Sequence, residues 1–244
     1  MELIKEALTF DDVLLLPRHS TILPNQTNIS LNLSKELKLN VPFLSAAMDT
    51  VTEYEMALEM AKQGGLGIIH RNLSAQEQSL QVKKIKKKNL KVGAAIGTSP
   101  NDVYRAKLLS DNDVDMIIID TAHGDSKKVF QTVYNIKKIN KRNLICVGNI
   151  ATGEAANSLY NVGADIVKVG IGPGSICTTR MIAGIGVPQI TALSNVKKKL
   201  KKKNIKIISD GGIKFSGDII KAIAAGADAI MMGSIFAGTK ESPG

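Results

Sequence analysis

The chain has 244 residues, of which 44% are hydrophobic and 22% charged, and its formal net charge at pH 7 is +10. A single domain of this length buries roughly 70% of its unfolded surface, so the composition supports a large core and excludes a disordered protein. No apolar run approaches the ~20 residues of a membrane-spanning helix, and the mixed charges of the first six residues are not typical of a secretory leader. We therefore expect a soluble, cytoplasmic protein without a membrane partner.

Much of the positive charge lies in two lysine-rich runs, at residues 83–88 and 197–203. Both follow helical patterns, in which lysine covers apolar surface with its alkyl chain and suits the negative end of the helix. The chain has no tryptophan and only 4% aromatic residues, so it lacks the stacking platforms of single-strand binders. We expect these runs to be solvated helix faces rather than a nucleic-acid site.

Short apolar runs recur along the chain, with a helical segment between most of them. They lie at residues 43–46, 66–69, 92–96, 116–119, 144–147, 166–169, 205–208 and 229–232. Continuous rather than alternating apolar runs are typical of parallel strands covered by helices. Capping signals at Ser74, with Glu77, and at Ser216 begin two of the intervening helices.

The chain also contains a near-repeat. Residues 163–170 (Gly-Ala-Asp-Ile-Val-Lys-Val-Gly) align with residues 226–233 (Gly-Ala-Asp-Ala-Ile-Met-Met-Gly), and residues 113–120 match more loosely. The eight apolar runs with their intervening helices make eight strand–helix units, which predict an α/β fold, a (β/α)8 TIM barrel forming one catalytic domain over residues 1–244. An open doubly wound sheet is the alternative, although no Gly-x-Gly-x-x-Gly follows the first strand. Only residues 233–244 follow the eighth strand, so we expect the last helix to be absent from this sequence.

The residues that follow the strands are the candidate functional ones, because these loops build the active site of such a barrel. They are Asp120 after the fourth strand, Asn149 after the fifth, Asp210, Gly211 and Gly212 after the seventh, and Gly233 and Ser234 after the eighth. Glycines at strand ends expose backbone N–H groups, with which barrels commonly hold phosphate. Together with Ser175 and Ser234, these glycines predict a phosphorylated ligand.

The loop after the sixth strand, residues 170–180, carries one of the two cysteines. Three glycines among its first five residues leave the backbone unshielded, which suits a loop that wraps a monovalent cation or brings a thiol to a planar ligand. Cys177 lies between hydroxyl side chains and Arg180, a setting that favours the thiolate, so we predict that it is a nucleophile. Cys146 lies within an apolar run and is predicted to pack in the core.

Lys168 is an unexpected charge in a strand that should be buried. Its ammonium could reach water between the barrel and the helices, or it could stand as a positive group at the mouth of the site. The sequence leaves both interpretations open. The three histidines lack partners at metal-ligand spacing, so we expect no transition metal.

The loop sequence Gly-Ile-Gly-Pro-Gly-Ser-Ile-Cys-Thr-Thr-Arg, at residues 170–180, closely resembles the cysteine loop of the IMP dehydrogenase / GMP reductase family. The resemblance covers essentially the whole chain. It continues through residues 8–13, 47–53, 184–189, 210–213 and 237–244. Within the family, residues 68–72 and 241–244 look like the dehydrogenase branch.

The resemblance implies NAD-dependent oxidation of IMP to XMP, on the route to guanine nucleotides, by a homotetramer. Cys177 would form a thioimidate at C2 of the purine, and Thr179 would help to position the hydrolytic water. The substrate-binding residues it implies are Met48, Ser175, Asp210, Gly211, Gly212, Gly233 and Ser234. The NAD-binding residues it implies are Asp120, Asn149, Gly170, Ile171 and Gly172. A potassium ion would be held by the carbonyls of Gly172, Gly174 and Cys177.

Two departures from the family pattern affect domain organisation. The family usually carries a tandem regulatory domain after the second helix, whereas here residues 86–91 run directly into the third strand, so we expect that pair to be missing at about 89–91. The family's flap, thought to supply the hydrolytic base, would lie beyond residue 244. The alternatives are a GMP reductase, which converts GMP to IMP with NADPH, and a non-catalytic barrel that binds phosphate or nucleic acid.

Overall fold

The computed structural model describes residues 6–174 and 177–244. After a 3₁₀ turn at Pro24–Gln26, a short antiparallel ribbon of β1 (Leu31–Asn32) and β2 (Lys38–Leu39) precedes a closed barrel of eight parallel strands. The barrel strands are β3 (Phe43–Ser45), β4 (Leu66–Ile69), β5 (Gly93–Ile96), β6 (Met116–Asp120), β7 (Ile145–Ile150), β8 (Ile166–Val169), β9 (Lys206–Asp210) and β10 (Ala229–Met232). Each strand pairs with the next along the chain, and β10 pairs with β3. The predicted TIM barrel is confirmed, and the open sheet is excluded.

Helices lie on the outside of this barrel, apart from a short one, α6 (Thr179–Ala183), at the rim formed by the strand-end loops. They are α1 (Tyr54–Lys62), α2 (Ala75–Lys86), α3 (Pro100–Asp111), α4 (Lys127–Ile139), α5 (Gly153–Asn161), α6 (Thr179–Ala183), α7 (Gln189–Leu200) and α8 (Ser216–Ala224). The predicted capping box of α2 is present, since the Glu77 N–H donates to Ser74 Oγ and the Ser74 N–H donates to Glu77 Oε2. No helix among the described residues has both the length and the apolar character needed to cross a membrane.

The core has two layers, because successive side chains of a strand point to opposite faces. The inner layer fills the barrel and includes Leu44, Ile118, Cys146 and Ile166. The outer layer packs between strands and helices and includes Ile117, Val147 and Val167. Cys146 is completely buried in the inner layer, and this burial raises the pKa of its thiol far above the ordinary range. Its predicted packing role is confirmed.

The near-repeat corresponds to a repeated contact at the amino ends of the strands. An aspartate before one strand donates its N–H to the carbonyl of a residue at the start of the preceding strand, and its carboxylate accepts that residue's N–H. The pairs are Asp115 with Val92 (3.0 and 2.9 Å), Asp165 with Ile145 (3.0 and 2.8 Å) and Asp228 with Ile207 (2.8 and 2.9 Å). Each carboxylate also pairs with a lysine, namely Lys86, Lys137 and Lys206 in turn. We call these contacts the aspartate clamps; they fix strand register at the end of the barrel away from the strand-end loops.

The segment before the barrel crosses the helices next to the last strands. The Leu8 N–H donates to Thr191 Oγ1 at 2.7 Å, and Lys221 Nζ donates to the Phe10 carbonyl at 2.8 Å. The buried ring of Phe10 lies beside Gly212, where it comes within 3.3 Å of the position that a Cβ would take. The amino-terminal segment thereby supports the glycine turn that follows β9.

Candidate active site

A cleft of about 290 Å³ opens at the carboxyl ends of the strands. It brings together many residues predicted from the sequence: Met48, Asp120, Asn149, Gly170, Ile171, Gly172, Gly174, Cys177, Thr179, Asp210 and Gly211. These residues come from five different strand ends, so closure of the barrel is what gathers them. The clustering places a thiol, carboxylates and a glycine-rich backbone around one cavity.

Gly212, Gly233 and Ser234 lie at or beyond the edge of this cleft. Gly212 lines a neighbouring cavity of about 160 Å³, together with Phe10 and Arg180. A Cβ on Gly233 would stand 3.1 Å from the sulfur of Met48, so Gly233 borders the cleft through that side chain. Ser234 is exposed beside it, and Ser175 lies outside the described residues.

The floor of the cleft is a charged cluster centred on Lys168. This side chain is 3% exposed, and its ammonium contacts Asp120 Oδ1 at 2.9 Å, Asp210 Oδ2 and Asn149 Oδ1. Lys168 points into the barrel because it shares a strand face with Ile166 of the inner layer. The interpretation that its head reaches water among the helices is therefore wrong. The ammonium faces the cleft instead, at its floor and not at its mouth.

The charges of this cluster stabilise one another. Burial opposes the ionisation of Asp120, but the nearby Lys168 ammonium outweighs it and holds the pKa of that carboxyl below its usual value. Burial likewise opposes the charge on Lys168, and the two carboxylates outweigh it and raise the pKa of the ammonium. Both groups are therefore ionised at neutral pH.

Cys177 lies at the rim, just before the short helix α6. Its Sγ is 3.3 Å from Thr179 Oγ1, and its N–H donates to the Gly174 carbonyl at 3.1 Å. Hydrogen bonds from the Thr179 hydroxyl and N–H lower the pKa of the Cys177 thiol, and the Arg180 charge acts in the same direction. The partly exposed Cys177 therefore forms a thiolate more readily than an ordinary cysteine, in contrast to Cys146.

The loop that carries Cys177 can only make its turn with glycines. Gly172 has φ +80°, and a Cβ there would stand 2.3 Å from Cγ of Arg180. The guanidinium of Arg180 in turn donates to the carbonyls of Ile171, at 3.4 Å, and Val187, at 3.0 Å. Arg180 therefore ties the start of the loop to the segment that follows α6.

A second network that the sequence did not indicate holds the loops after β3 and β4. The buried His70 pairs through Nε2 with Glu53 Oε1 at 3.0 Å, and its Nδ1 accepts the Asn72 N–H at 3.1 Å. The Asn72 amide donates to Asp49 Oδ2 at 2.9 Å, one residue beyond Met48. His70 and Glu53 lie in different loops, so only the folded chain shows that they are partners.

Comparisons with known proteins agree with this geometry. Residues 7–244 match the family model described as the IMP dehydrogenase / GMP reductase domain. The inosine-5′-monophosphate dehydrogenase of Borreliella burgdorferi is 44% identical, over 99% of this chain and 72% of the relative. That of Cryptosporidium parvum is 44% identical over 99% and 70%, and that of Staphylococcus aureus (strain Mu50) is 37% identical over 98% and 75%.

Proposed function

The chain belongs to the IMP dehydrogenase / GMP reductase family and is an oxidoreductase of the IMP dehydrogenase type, and from this we propose that it oxidises IMP to XMP with NAD as the acceptor. The observation that carries the proposal is the Cys177 thiol, with its lowered pKa, at the rim of a cleft whose floor holds the carboxylates of Asp120 and Asp210. The three relatives named above are all dehydrogenases, which supports this direction over the reductase.

The chemistry begins at Cys177. The thiolate attacks C2 of the hypoxanthine ring, so a C–S bond forms and the hydrogen on C2 leaves with its electron pair. NAD, when bound, supplies the oxidation by taking up that hydride. Water then adds to the thioimidate carbon, the C–S bond breaks, and XMP leaves while the thiol is regenerated. Thr179 acts twice in this proposal, since its hydroxyl stabilises the thiolate and lies where it can orient the water.

The cleft residues fit the two nucleotides that the reaction requires. A ribose diol presents O–H donors, and ionised carboxylates are strong acceptors for them. The side chains of Asp210 and Asp120 are 19% and 33% exposed, so each carboxylate reaches the cleft while it pairs with Lys168. We assign Asp210 to the ribose of IMP and Asp120 to the nicotinamide ribose of NAD, beside Asn149 and residues 170–172. Met48 would pack near the base, and the strand-end glycines 211, 212 and 233 with Ser175 and Ser234 would hold the phosphate.

The same loop suits a potassium ion. The proposed ligands are the carbonyls of Gly172, Gly174 and Cys177, and neutral oxygens of this kind bind hard monovalent cations without the charge that a divalent ion prefers. The ion would hold the loop in the turn that presents the thiol. Activity of the full-length enzyme should rise with potassium, and indifference to its replacement by lithium would contradict the assignment.

We also propose that the enzyme is a homotetramer. Residues 14–30 are all exposed, and they include Leu14, Leu16, Ile22 and Leu23, each at least 57% exposed. Met181 and Ile182 of α6 are also exposed next to the cleft. Exposed apolar side chains in this number are typical of a protein–protein interface.

Two assays separate the proposed function from its alternatives. The full-length protein is mixed with IMP and NAD, and separately with GMP and NADPH, while the absorbance of the reduced nicotinamide is followed. We expect absorbance to appear only in the first mixture and to require Cys177, with Cys177→Ala inactive but still able to bind IMP. Loss of absorbance in the second mixture alone would identify a reductase. Tight, salt-sensitive oligonucleotide binding without turnover would identify a non-catalytic barrel.

A further inference from the structure

We propose that Lys168 is a positioning residue that couples the two nucleotide subsites of the cleft. The proposal rests on the proposed function, because it takes Asp210 to contact the substrate ribose and Asp120 to contact the cofactor ribose. Lys168 itself would touch neither nucleotide. It would act by holding both carboxylates through one buried ammonium.

The geometry of the ammonium carries this inference. A lysine ammonium has three N–H donors, and three acceptors surround this one: Asp120, Asn149 and Asp210. With Lys168 on β8, these partners lie on β6, β7 and β9, so one side chain links four consecutive strands. Asn149 closes the cluster by donating to Asp210 Oδ2 at 2.9 Å. A shift of either carboxylate therefore moves the group that holds the other.

The charge balance makes the two carboxylates dependent on the same ammonium. Two carboxylates and one ammonium leave one net negative charge in a largely buried place, where like charges disfavour joint ionisation. Without the ammonium, one carboxyl would take up a proton and cease to be a full acceptor for a ribose diol. Because the raised pKa keeps Lys168 protonated at neutral pH, this side chain serves as a fixed charge and not as a proton acceptor.

Substitution of one carboxylate tests the coupling without removing the lysine. In Asp210→Asn, Lys168 keeps Asn149 as an acceptor and has Asp120 as its one remaining carboxylate partner in the cluster. We expect this variant to raise the KM for IMP and also to change the KM for NAD by about fivefold or more, the size typical of coupled sites. Asp120→Asn should likewise change the KM for IMP. Both variants keep an ion pair in the cluster, so they serve even where a lysine variant fails to fold.

Substitution of the lysine tests the mechanism of the coupling. We expect Lys168→Met to raise the KM for IMP and the KM for NAD. Lys168→Arg keeps the charge, so its two KM values should be closer to those of the unmodified enzyme. In the Lys168→Met background, Asp210→Asn should no longer change the KM for NAD. Lys206→Met is the matched control, because it removes a lysine–aspartate pair from the neighbouring strand at the other end of the barrel. It should lower stability and leave both KM values unchanged.

The outcomes separate this proposal from the proposed function. Turnover of IMP with NAD by the unmodified enzyme tests the function, whereas the cross-effects test the coupling. If Asp210→Asn alters only the KM for IMP and Asp120→Asn only that for NAD, the coupling is wrong although the function stands. A Lys168→Met variant that loses only thermal stability, with both KM values unchanged, would also overturn it.

Discussion

At the scale of single residues, the two cysteines show how its surroundings raise or lower the pKa of a thiol. Cys146 is enclosed by the inner layer of the barrel, where burial disfavours the thiolate, while Cys177 lies at the rim beside Thr179, which lowers the pKa of its thiol. The sequence already separated them, since an apolar run surrounds the first and hydroxyls surround the second. The buried thiol provides an internal reference for the reactive one.

The contribution of Thr179 to this difference can be measured through alkylation. The hydrogen bonds of Thr179 lower the pKa of Cys177, so the rate of iodoacetamide labelling should rise with pH at lower values than for an ordinary thiol. Thr179→Val removes the hydroxyl, raises that pKa and should move the profile to higher pH. Thr178→Val, at the exposed neighbouring position, is the control and should leave it in place. A profile that Thr179→Val does not move would show that another group stabilises the thiolate.

The sequence predicted which residues form the cleft better than how they contact one another. The strand-end rule alone located Asp120, Asn149 and Asp210, because residues at the carboxyl ends of parallel strands converge wherever the barrel closes. It could not orient Lys168, since the direction of a side chain depends on strand register and a shift of one residue reverses it. Two of the acceptors that hold the lysine, Asp210 and Asn149, lie 42 and 19 residues away along the chain. Sequence patterns over a few residues cannot indicate contacts at such separations.

At the scale of secondary-structure elements, each predicted strand corresponds to a strand of the barrel. Some of the observed strands differ from the predicted ones in the residues at which they begin or end. The runs 66–69, 166–169 and 229–232 coincide with β4, β8 and β10. In contrast, β6 and β9 continue into Asp120 and Asp210, because backbone pairing such as Asp120 with Gly148 does not depend on an apolar side chain. The ribbon of β1 and β2 and the short α6 were not predicted, since neither has an apolar period long enough to indicate an element.

We expect the aspartate clamps, which join neighbouring strands, to stabilise the barrel. Asp115 is the clamp residue best suited to a substitution that tests this. Its side chain is 9% exposed and holds Lys86 at 2.7 Å and the Val92 N–H at 2.9 Å. Asp115→Ala leaves that N–H and two lysines, Lys86 and Lys91, without this acceptor. We therefore expect a loss of about 2 kcal/mol in the free energy of unfolding, measured in urea. Asp111→Ala, at the exposed end of α3, should change it by less than about 0.5 kcal/mol. Equal effects of the two substitutions would mean that the clamps do not stabilise the barrel.

At the scale of the whole molecule, the apolar surface of residues 14–30 is the feature that a single barrel does not explain. The segment before it is fixed to α7 and α8 by Leu8 and Phe10, whereas residues 14–30 are all exposed. Fixed attachment with an exposed apolar surface is the arrangement expected of a part that contacts another copy of the chain.

Serine substitutions in this surface test the proposed tetramer. Leu14→Ser with Leu16→Ser changes two side chains that are 87% and 86% exposed, so the fold of one barrel should persist. We expect sedimentation of the full-length protein to shift from tetramer to smaller species. Lys83→Ser with Lys87→Ser, on the lysine-rich part of α2 and its C-cap, is the control and should leave the assembly unchanged. A tetramer that survives the leucine substitutions would place the interface elsewhere.

The central claim is that IMP is oxidised while it is bound covalently to Cys177, and trapping of that intermediate tests it most directly. The full-length enzyme is mixed with IMP and NAD, and the reaction is quenched in acid within the first turnover. The protein is then digested, and the masses of the peptides are measured by mass spectrometry. The account predicts a purine nucleotide on the peptide that contains Cys177, formed only when NAD is present and absent from Cys177→Ala. An adduct on Cys146, or XMP formed at full rate by Cys177→Ala, would contradict it.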